Sequence, residues 1–311
     1  MSSYLEATAR ERIAKLLDAG SFTEVLPPAA RFISPHLAQL DAPVAFDDGV
    51  VIGTGCLQGR RVMAAAQEGG FMGGAVGEVH GAKLVGLLKR AVAEGADAVI
   101  LMLETGGVRL HEANAGLIAV SEVMRALLDV REAGIPVIVL IGGANGCFGG
   151  MGIVARCANA IIMSEEGRLA MSGPEVIETA AGVEEFDSRD RALVWRTTGG
   201  KHRYLLGDCD AIVSDDIAAF RAAACGAMQR LCQTGAALAL QELEAEQRML
   251  EHRLTAFDRH TEPMQIWAEL GIPQPAQVPM LDAQAFTEIA DRHRAAMRAE
   301  MQIETQTGAQ A

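Results

Sequence analysis

The chain predicts an α/β protein built on parallel strands, and three observations carry that expectation. Two aliphatic runs, Ala98 to Leu103 and Ile135 to Ile141, each pass directly into a glycine-rich turn, and a segment with helical spacing follows each turn. Aliphatic runs bounded by glycine fit strands buried on both faces. Strands that alternate with helices are joined as parallel neighbours by right-handed crossovers.

The elements follow in order. Ser3 and Glu6 have the spacing of a capping box, and Leu5, Ala9, Ile13, Leu16 and Leu17 form the apolar stripe of an opening helix that Gly20 stops. A proline-rich loop runs from Pro27 to Pro43. Val50 to Leu57 and Arg61 to Gln67 read as a hairpin around Gln58-Gly59, and Gly53 and Gly55 within its first strand imply a bulge or a close neighbour. A glycine-rich stretch, Gly69 to Glu78, leads into a helix that turns Val79, Leu84, Val85, Leu87 and Leu88 toward the core. Strand and helix then alternate through Ala98 to Leu103, Ala113 to Ala133, Ile135 to Ile141, Gly150 to Cys157, Ala160 to Met163 and a short strand at Leu169 to Met171. After Ser172-Gly173-Pro174 the chain is polar and charged through Arg191, and from Asp215 onward it reads as helical, with Leu238 to Leu254 as a solvated helix face and a frayed end past Thr305. The expected division is a first domain over 1–215 and a helical C-terminal region over 216–311.

Composition narrows the class. Half of the 311 residues are hydrophobic, enough for the core of one large domain or two small ones. A formal charge of −13 argues against a nucleic-acid surface, while local basic clusters such as Lys89-Arg90 remain compatible with a single phosphorylated carrier. No segment reaches the roughly twenty apolar residues needed to span a bilayer, and Met1 to Glu6 lacks a basic, then apolar leader, so a cytoplasmic protein is expected. The six cysteines include no Cys-x-x-Cys pair, so free thiols and no bound metal are expected. Cys147 lies inside the second glycine turn, with no histidine near it in sequence to serve as a base.

The glycine turns carry the chemistry. Glu104-Thr105-Gly106-Gly107-Val108-Arg109 and Gly142-Gly143-Ala144-Asn145-Gly146-Cys147-Phe148-Gly149-Gly150 lack the Lys-Ser or Lys-Thr of a nucleotide P-loop and the spacing of a dinucleotide fingerprint. Either turn alone serves as an ordinary tight connection in an α/β fold. Together they suggest two clusters of backbone N–H groups aimed at negative charge developing on oxygen.

Five motifs in order resemble the acyl-CoA carboxyltransferase branch of the crotonase-like superfamily: Arg12-Ile13 through Phe22, Phe71 to Gly77, Thr105 to Glu112, Gly149-Gly150 and Ser172 to Glu178. Within it, the stretch Gly182 to Arg191, followed by Trp195 and Gly199-Gly200-Lys201-His202-Arg203, is similar to the β subunits of biotin-independent malonate decarboxylases. The resemblance covers roughly Ile13 to Asp210 and implies a crotonase-like ββα superhelix. It also implies pairing with a γ subunit of similar fold. The pair would decarboxylate malonyl thioester to acetyl thioester on an acyl carrier protein, through a prosthetic group derived from dephospho-CoA, with neither biotin nor a metal.

By transfer of the motifs, Gly106 and Gly107 form one oxyanion site and Gly149 and Gly150 the other. Phe71, Met72, Gly73, Gly74 and Gly77 lie beside the pantetheine arm, and Arg109 or Lys83 near phosphate. The candidates for the final proton donor are His80, His111, Glu112, Glu175 and Tyr204, each with an alternative role in a helix face, cap or core, and the donor can equally belong to the other subunit. The chain lacks the four-cysteine zinc ribbon of bacterial carboxyltransferase β subunits. It also lacks the paired glutamates of hydratases, since Ile153-Val154-Ala155-Arg156 follows Gly152, which disfavours hydration. Two alternatives stand beside decarboxylation: a carboxyltransferase subunit of a biotin-dependent acyl-CoA carboxylase, and a non-catalytic scaffold for a carrier-protein complex.

Overall fold

The computed structural model describes residues 2–41, 46–260 and 262–294. Among these, seven strands form one sheet whose spatial order is the chain order: β1 (Thr23–Val25), β2 (Val50–Leu57), β3 (Arg60–Gln67), β4 (Ala98–Met102), β5 (Val137–Ile141), β6 (Ala160–Ser164) and β7 (Ala211–Val213). The first three pair antiparallel, and β3 through β7 pair parallel. In the β2–β3 hairpin Leu57 lies opposite Arg60, and Gln58 and Gly59 have φ of 53° and 73°. Two successive left-handed residues are what a two-residue turn needs to match the strands' twist. Gly53 and Gly55 have close neighbours, as their placement in a strand implies: a Cβ on Gly53 would lie 2.6 Å from the Phe22 ring, and one on Gly55 2.7 Å from Leu17.

The helices are α1 (Ala9–Leu16), α2 (Pro35–Gln39), α3 (Glu78–Glu94), α4 (Ala115–Glu132), α5 (Gly150–Arg156), α6 (Pro174–Ala181), α7 (Arg191–Thr198), α8 (Gly200–Leu205), α9 (Ile217–Thr234), α10 (Leu240–Phe257) and α11 (Pro263–Glu269). All residues of β4, β5 and β6 are buried because helices cover both faces of the sheet. On one face Val99, Leu101, Val137 and Val139 meet Leu84, Leu87 and Leu88 of α3 and Val123 and Leu127 of α4. On the other, Ile100, Met102, Ile138 and Leu140 meet Ile13 and Leu16 of α1 and Phe220, Ala224 and Met228 of α9. Each fully buried aliphatic side chain contributes about 1.5–3 kcal/mol relative to exposure.

Register brings the two glycine turns to one edge. Val99 pairs with Val137 and Met102 with Leu140, so β4 and β5 end at the same level and deliver their turns side by side. Beyond the strand ends a smaller layer forms from single parallel bridges, Val76 with Val108, Thr105 with Cys147, and Cys147 with Leu169. The expected strand at Leu169 to Met171 is one of these bridges. Ala170 N–H and Met171 O bond to the second turn, while Leu169 N–H donates to Thr198 O at 2.9 Å, so no continuous ladder forms.

The opening helix differs from expectation. Thr8 and Glu11 form the capping box, with Thr8 N–H donating to the Glu11 carboxylate at 2.9 Å, while the Ser3 hydroxyl is taken by Asp215. That bond ties the N-terminus to the segment before α9, and residues 4–6 form a turn. The helix ends at Leu16, and Gly20, at φ 70°, lies in the following turn. Part of the Pro27 to Pro43 loop and the stretch past Thr305 lie outside the described residues. Helices α6 and α7 occupy the polar stretch after Pro174, and α10 buries none of its side chains.

α3 and α4 cross where Gly81 faces Ala119. A Cβ on Gly81 would stand 3.1 Å from the Ala119 Cα. Gly81→Val is expected to overpack this crossing and destabilise the protein by about 1–3 kcal/mol. A urea unfolding midpoint unchanged from the parent would show that the crossing tolerates the added volume.

Candidate active site

The site is organised around Glu104, which lies two residues past the end of β4 and opens the first turn. Its carboxylate is buried and pairs with the buried guanidinium of Arg12 on α1. Arg12 Nε also donates to Tyr4 O at 2.9 Å, and its guanidinium lies 4.5 Å from the Tyr4 ring centroid. The other carboxylate oxygen accepts from Asn145 N at 3.1 Å and Asn145 Nδ2 at 3.2 Å, in the second turn. The backbone N–H of Glu104 donates to Gln67 Oε1 at 2.9 Å. Sequence reasoning assigned neither Glu104 nor Arg12 a role, although signals were present. Arg12 falls on the apolar stripe of α1 at helical spacing, and Glu104 is a lone acid closing an aliphatic run, so each needs an opposite charge.

The two glycine turns meet. A Cβ on Gly149, which has φ 66°, would lie 3.3 Å from the Gly107 Cα. Thr105 N donates to Gly146 O at 2.8 Å and Phe148 N to Thr105 O at 2.9 Å, which locks the turns together. Of the four candidate N–H donors, Gly106 bonds to Gly73 O at 2.9 Å and Gly149 to Met171 O at 2.9 Å. Gly107 N–H bonds at 3.1 Å to the hydroxyl of Thr105 two residues before it. Gly150, the first residue of α5, has no side-chain cap on its helix, and its N–H has no partner among the described residues.

The Phe71 to Gly77 loop covers the first turn. Gly74, at φ 70°, packs directly on the Glu104 carbonyl, Val76 N donates to Gly107 O at 2.9 Å, and Met72 and Gly73 are exposed. Arg109 and Lys83 stand differently from the expected phosphate contacts. The buried Arg109 guanidinium pairs with Asp47 and with Glu112 at 3.2 Å, and lies 5.2 Å from the Phe71 ring centroid. Gly77 is the close approach that this cluster needs, because a Cβ there would be 2.6 Å from Arg109 and from Glu112. Lys83 is buried and donates to Val50 O at 2.5 Å. Both cations hold internal partners because a buried charge without one is costly. Burial opposes ionisation of Asp47, but Arg109 and the Gly49 N–H carry its carboxyl below the usual range.

The proton-donor candidates scatter. His80 is fully buried, and its Nε2 accepts from the Gln67 amide at 3.1 Å, since the Gln67 carbonyl is already engaged by Glu104 N. Burial, with Arg109 nearby, lowers its pKa to about 3, so the ring is neutral near pH 7. Glu112 accepts from Glu78 N at 2.7 Å as well as from Arg109. Tyr204 lies in the core and donates to Asp291, with burial first and Asp291 second pushing its pKa to about 12. His111 and Glu175 are exposed. Cys147 is buried beneath the second turn, and burial pushes its thiol well up, which suppresses thiolate chemistry. Among the described residues no group of three or more His, Cys, Asp or Glu side chains is arranged to hold a metal.

Residues 6–224 match the carboxyl transferase domain. The chain belongs to the carboxyl transferase family. Over 310 residues, 94% of this chain and 97% of the relative, it is 42% identical to the malonyl-S-ACP:biotin-protein carboxyltransferase MADC of Malonomonas rubra. A solved Pseudomonas malonate decarboxylase hetero-tetramer in complex with malonate contains a chain of 41% identity and TM-score 0.74, covering 83% of this chain and 93% of that one. The Pseudomonas MdcD-MdcE hetero-dimer contains one of 37% identity and TM-score 0.63, covering 80% and 96%. The crotonase-like fold and the likeness to malonate decarboxylase subunits therefore hold for this member of the carboxyl transferase family.

Two stability predictions follow from the buried charges and histidines. Arg12→Met leaves the Glu104 carboxylate buried and unpaired, at an expected cost of about 3–5 kcal/mol. Adding Glu104→Gln to it is expected to recover part of that loss, and a double-mutant cycle by chemical unfolding measures the coupling. His80 and His202 both have folded pKa values of about 3 because of burial. The unfolded chain binds these protons below the ordinary imidazole value of about 6.5, so stability is full above that pH and falls as pH drops from there toward 3. His80→Gln should flatten this slope, and unfolding free energies measured across pH 3 to 7 check it.

Proposed function

We propose that this chain is the subunit of a malonate decarboxylase that holds the thioester oxygen while the malonyl group loses carbon dioxide. The observation that carries this reading is the meeting of the two glycine turns at one strand edge, in a chain 41% identical to a malonate decarboxylase component. The bond from the malonyl α-carbon to its carboxylate breaks, carbon dioxide leaves, and the electron pair delocalises onto the thioester oxygen as an enolate. N–H groups fixed where that charge develops lower the barrier without reorganising.

Gly107 and Gly150 fit the donor roles best. Gly150 N–H has no partner among the described residues, and the Gly107 N–H meets a side-chain hydroxyl where those of Gly106 and Gly149 are taken by backbone carbonyls. Gly106 and Gly149 then shape the turns through their bonds to Gly73 and Met171. Phe71, Met72, Gly73, Gly74 and Gly77 would flank the pantetheine arm of a dephospho-CoA-derived group on an acyl carrier protein. The enolate carbon needs a proton, and His111 and Glu175 are the candidates of this chain that face solvent. His111→Asn and Glu175→Gln test them, and full turnover in both would move the donor to the partner subunit.

A heteromeric unit suits the surface around the turns. Leu110, Leu117 and Ile118 beside the first turn, and Met171, Val176 and Val183 beyond the second, are each more than half exposed. Large exposed apolar side chains near the turns suit a protein contact. This face is where a γ subunit of similar fold would close the cleft in the cytoplasm. Ile118→Glu is expected to weaken that association, read as a shift from complex to free chains in native mass measurement.

The deciding experiment mixes this chain and its partner with malonyl thioester, without biotin or ATP, and measures acetyl thioester. Gly107→Val should leave the fold intact, because a Cβ there meets no atom within 4 Å, but φ of 140° disfavours any side chain and would turn the N–H. Loss of one such donor lowers turnover by roughly a hundred- to thousandfold. Parental turnover in a folded, paired variant would remove the turn from the mechanism. A second reading rests on the relative MADC, whose name specifies transfer to a biotin protein. Under it the carboxyl group passes to biotin, and avidin would block turnover.

A further inference from the structure

We infer that Asn145 is a positioning residue that sets the two oxyanion turns against each other, an inference that rests on the decarboxylase reading. Its carboxamide nitrogen donates to Gly69 O at 3.1 Å and to Glu104 Oε1 at 3.2 Å, and its backbone N–H reaches the same oxygen at 3.1 Å. One side chain therefore joins three segments: the start of the loop that flanks the first turn, the residue that opens that turn, and the second turn itself.

The chemistry of the junction selects asparagine. Two acceptors, a carbonyl and a carboxylate, face one side chain, and only a primary amide supplies two N–H donors from a single atom at that reach. Aspartate would set a second carboxylate against Glu104, and alanine would leave both acceptors without this donor. Glu104 itself is fixed from the far side by Arg12, so the junction is anchored in the core. Asn145, by contrast, is half-buried at the rim. The bridge between Thr105 and Cys147 keeps the turns adjacent without it. What Asn145 adds is their relative angle, and with it the direction of the Gly107 and Gly150 N–H groups.

The test uses the complete complex. Asn145→Ala is expected to lower kcat by about tenfold to a hundredfold, the scale of a small misplacement of reacting groups, while KM for malonyl thioester and the melting temperature stay near parental. Asn145→Asp should be worse than alanine, and Asn145→Gln should recover part of the loss. Amide hydrogen exchange supplies a readout independent of activity: in Asn145→Ala, exchange should rise together at residues 105–108 and 147–151 and stay unchanged in β2 and β3. Parental kcat in Asn145→Ala overturns the inference and leaves decarboxylation standing. So does a kcat loss that merely tracks a lower melting temperature and a higher KM. If the parental complex itself makes no acetyl thioester, the decarboxylase reading fails, and exchange alone then decides: a rise confined to one turn, or none, overturns the positioning role.

Discussion

Much of this structure depends on one buried carboxylate. Glu104 lies two residues past the end of β4, a strand whose every residue is buried, and is itself buried, so its charge cannot reach water and must be met inside the protein. Arg12 meets it from the N-terminal helix and Asn145 from the second turn, which ties α1, β4 and the β5 turn into one unit. The glycine pattern follows from the same constraint. A side chain at Gly69 or Gly143 would collide with the Glu104 carboxylate, and one at Gly74 with its carbonyl. Glycines that look like flexible loop residues are here the condition for dense packing around an ion pair. A buried pair of this kind adds little net stability, but removing one partner is costly. Its effect is to fix geometry.

A second ion cluster braces the opposite flank. Arg109 gathers Asp47 and Glu112, and Glu112 in turn receives the first N–H of α3. The first glycine turn thus runs between two charged anchors, Glu104 before it and Arg109 after it, while Gly106 and Gly107 between them carry no side chain. Rigid ends with a bare middle suit a turn that must let a ligand approach its backbone. The cost is that Arg109, positive and close to the turn, is not available to a phosphate outside.

Legibility in the sequence followed the physics of each element. The parallel strands, the Gln58-Gly59 hairpin and the glycine turns were readable because they depend on local features: aliphatic runs, turn residues and periodicity. The opening cap falls at Thr8–Glu11 and not at Ser3–Glu6: both pairs have capping-box spacing, and only the long-range bond from Ser3 to Asp215 separates them. Arg109 and Lys83 are expected near a phosphate because sequence gives charge without burial. Their partners Asp47 and Val50 come from segments far away in the chain. The same limit hid Glu104 with Arg12, 92 positions apart.

The two activities named among the relatives need not require different machinery in this chain. Decarboxylation and transfer of a carboxyl group to biotin both begin by breaking the same carbon–carbon bond of a malonyl thioester, and both leave the same enolate. On the proposed reading, the turns of this chain serve the half of the reaction that the two share. What differs is the fate of the carbon dioxide and the source of the proton. His80, Glu112 and Tyr204 are engaged in the interior, which leaves few titratable groups of this chain to protonate the carbon. On the proposed reading, the enolate site is built by this chain, and the outcome is set by which group supplies the proton, His111 or Glu175 here or a side chain of the partner subunit.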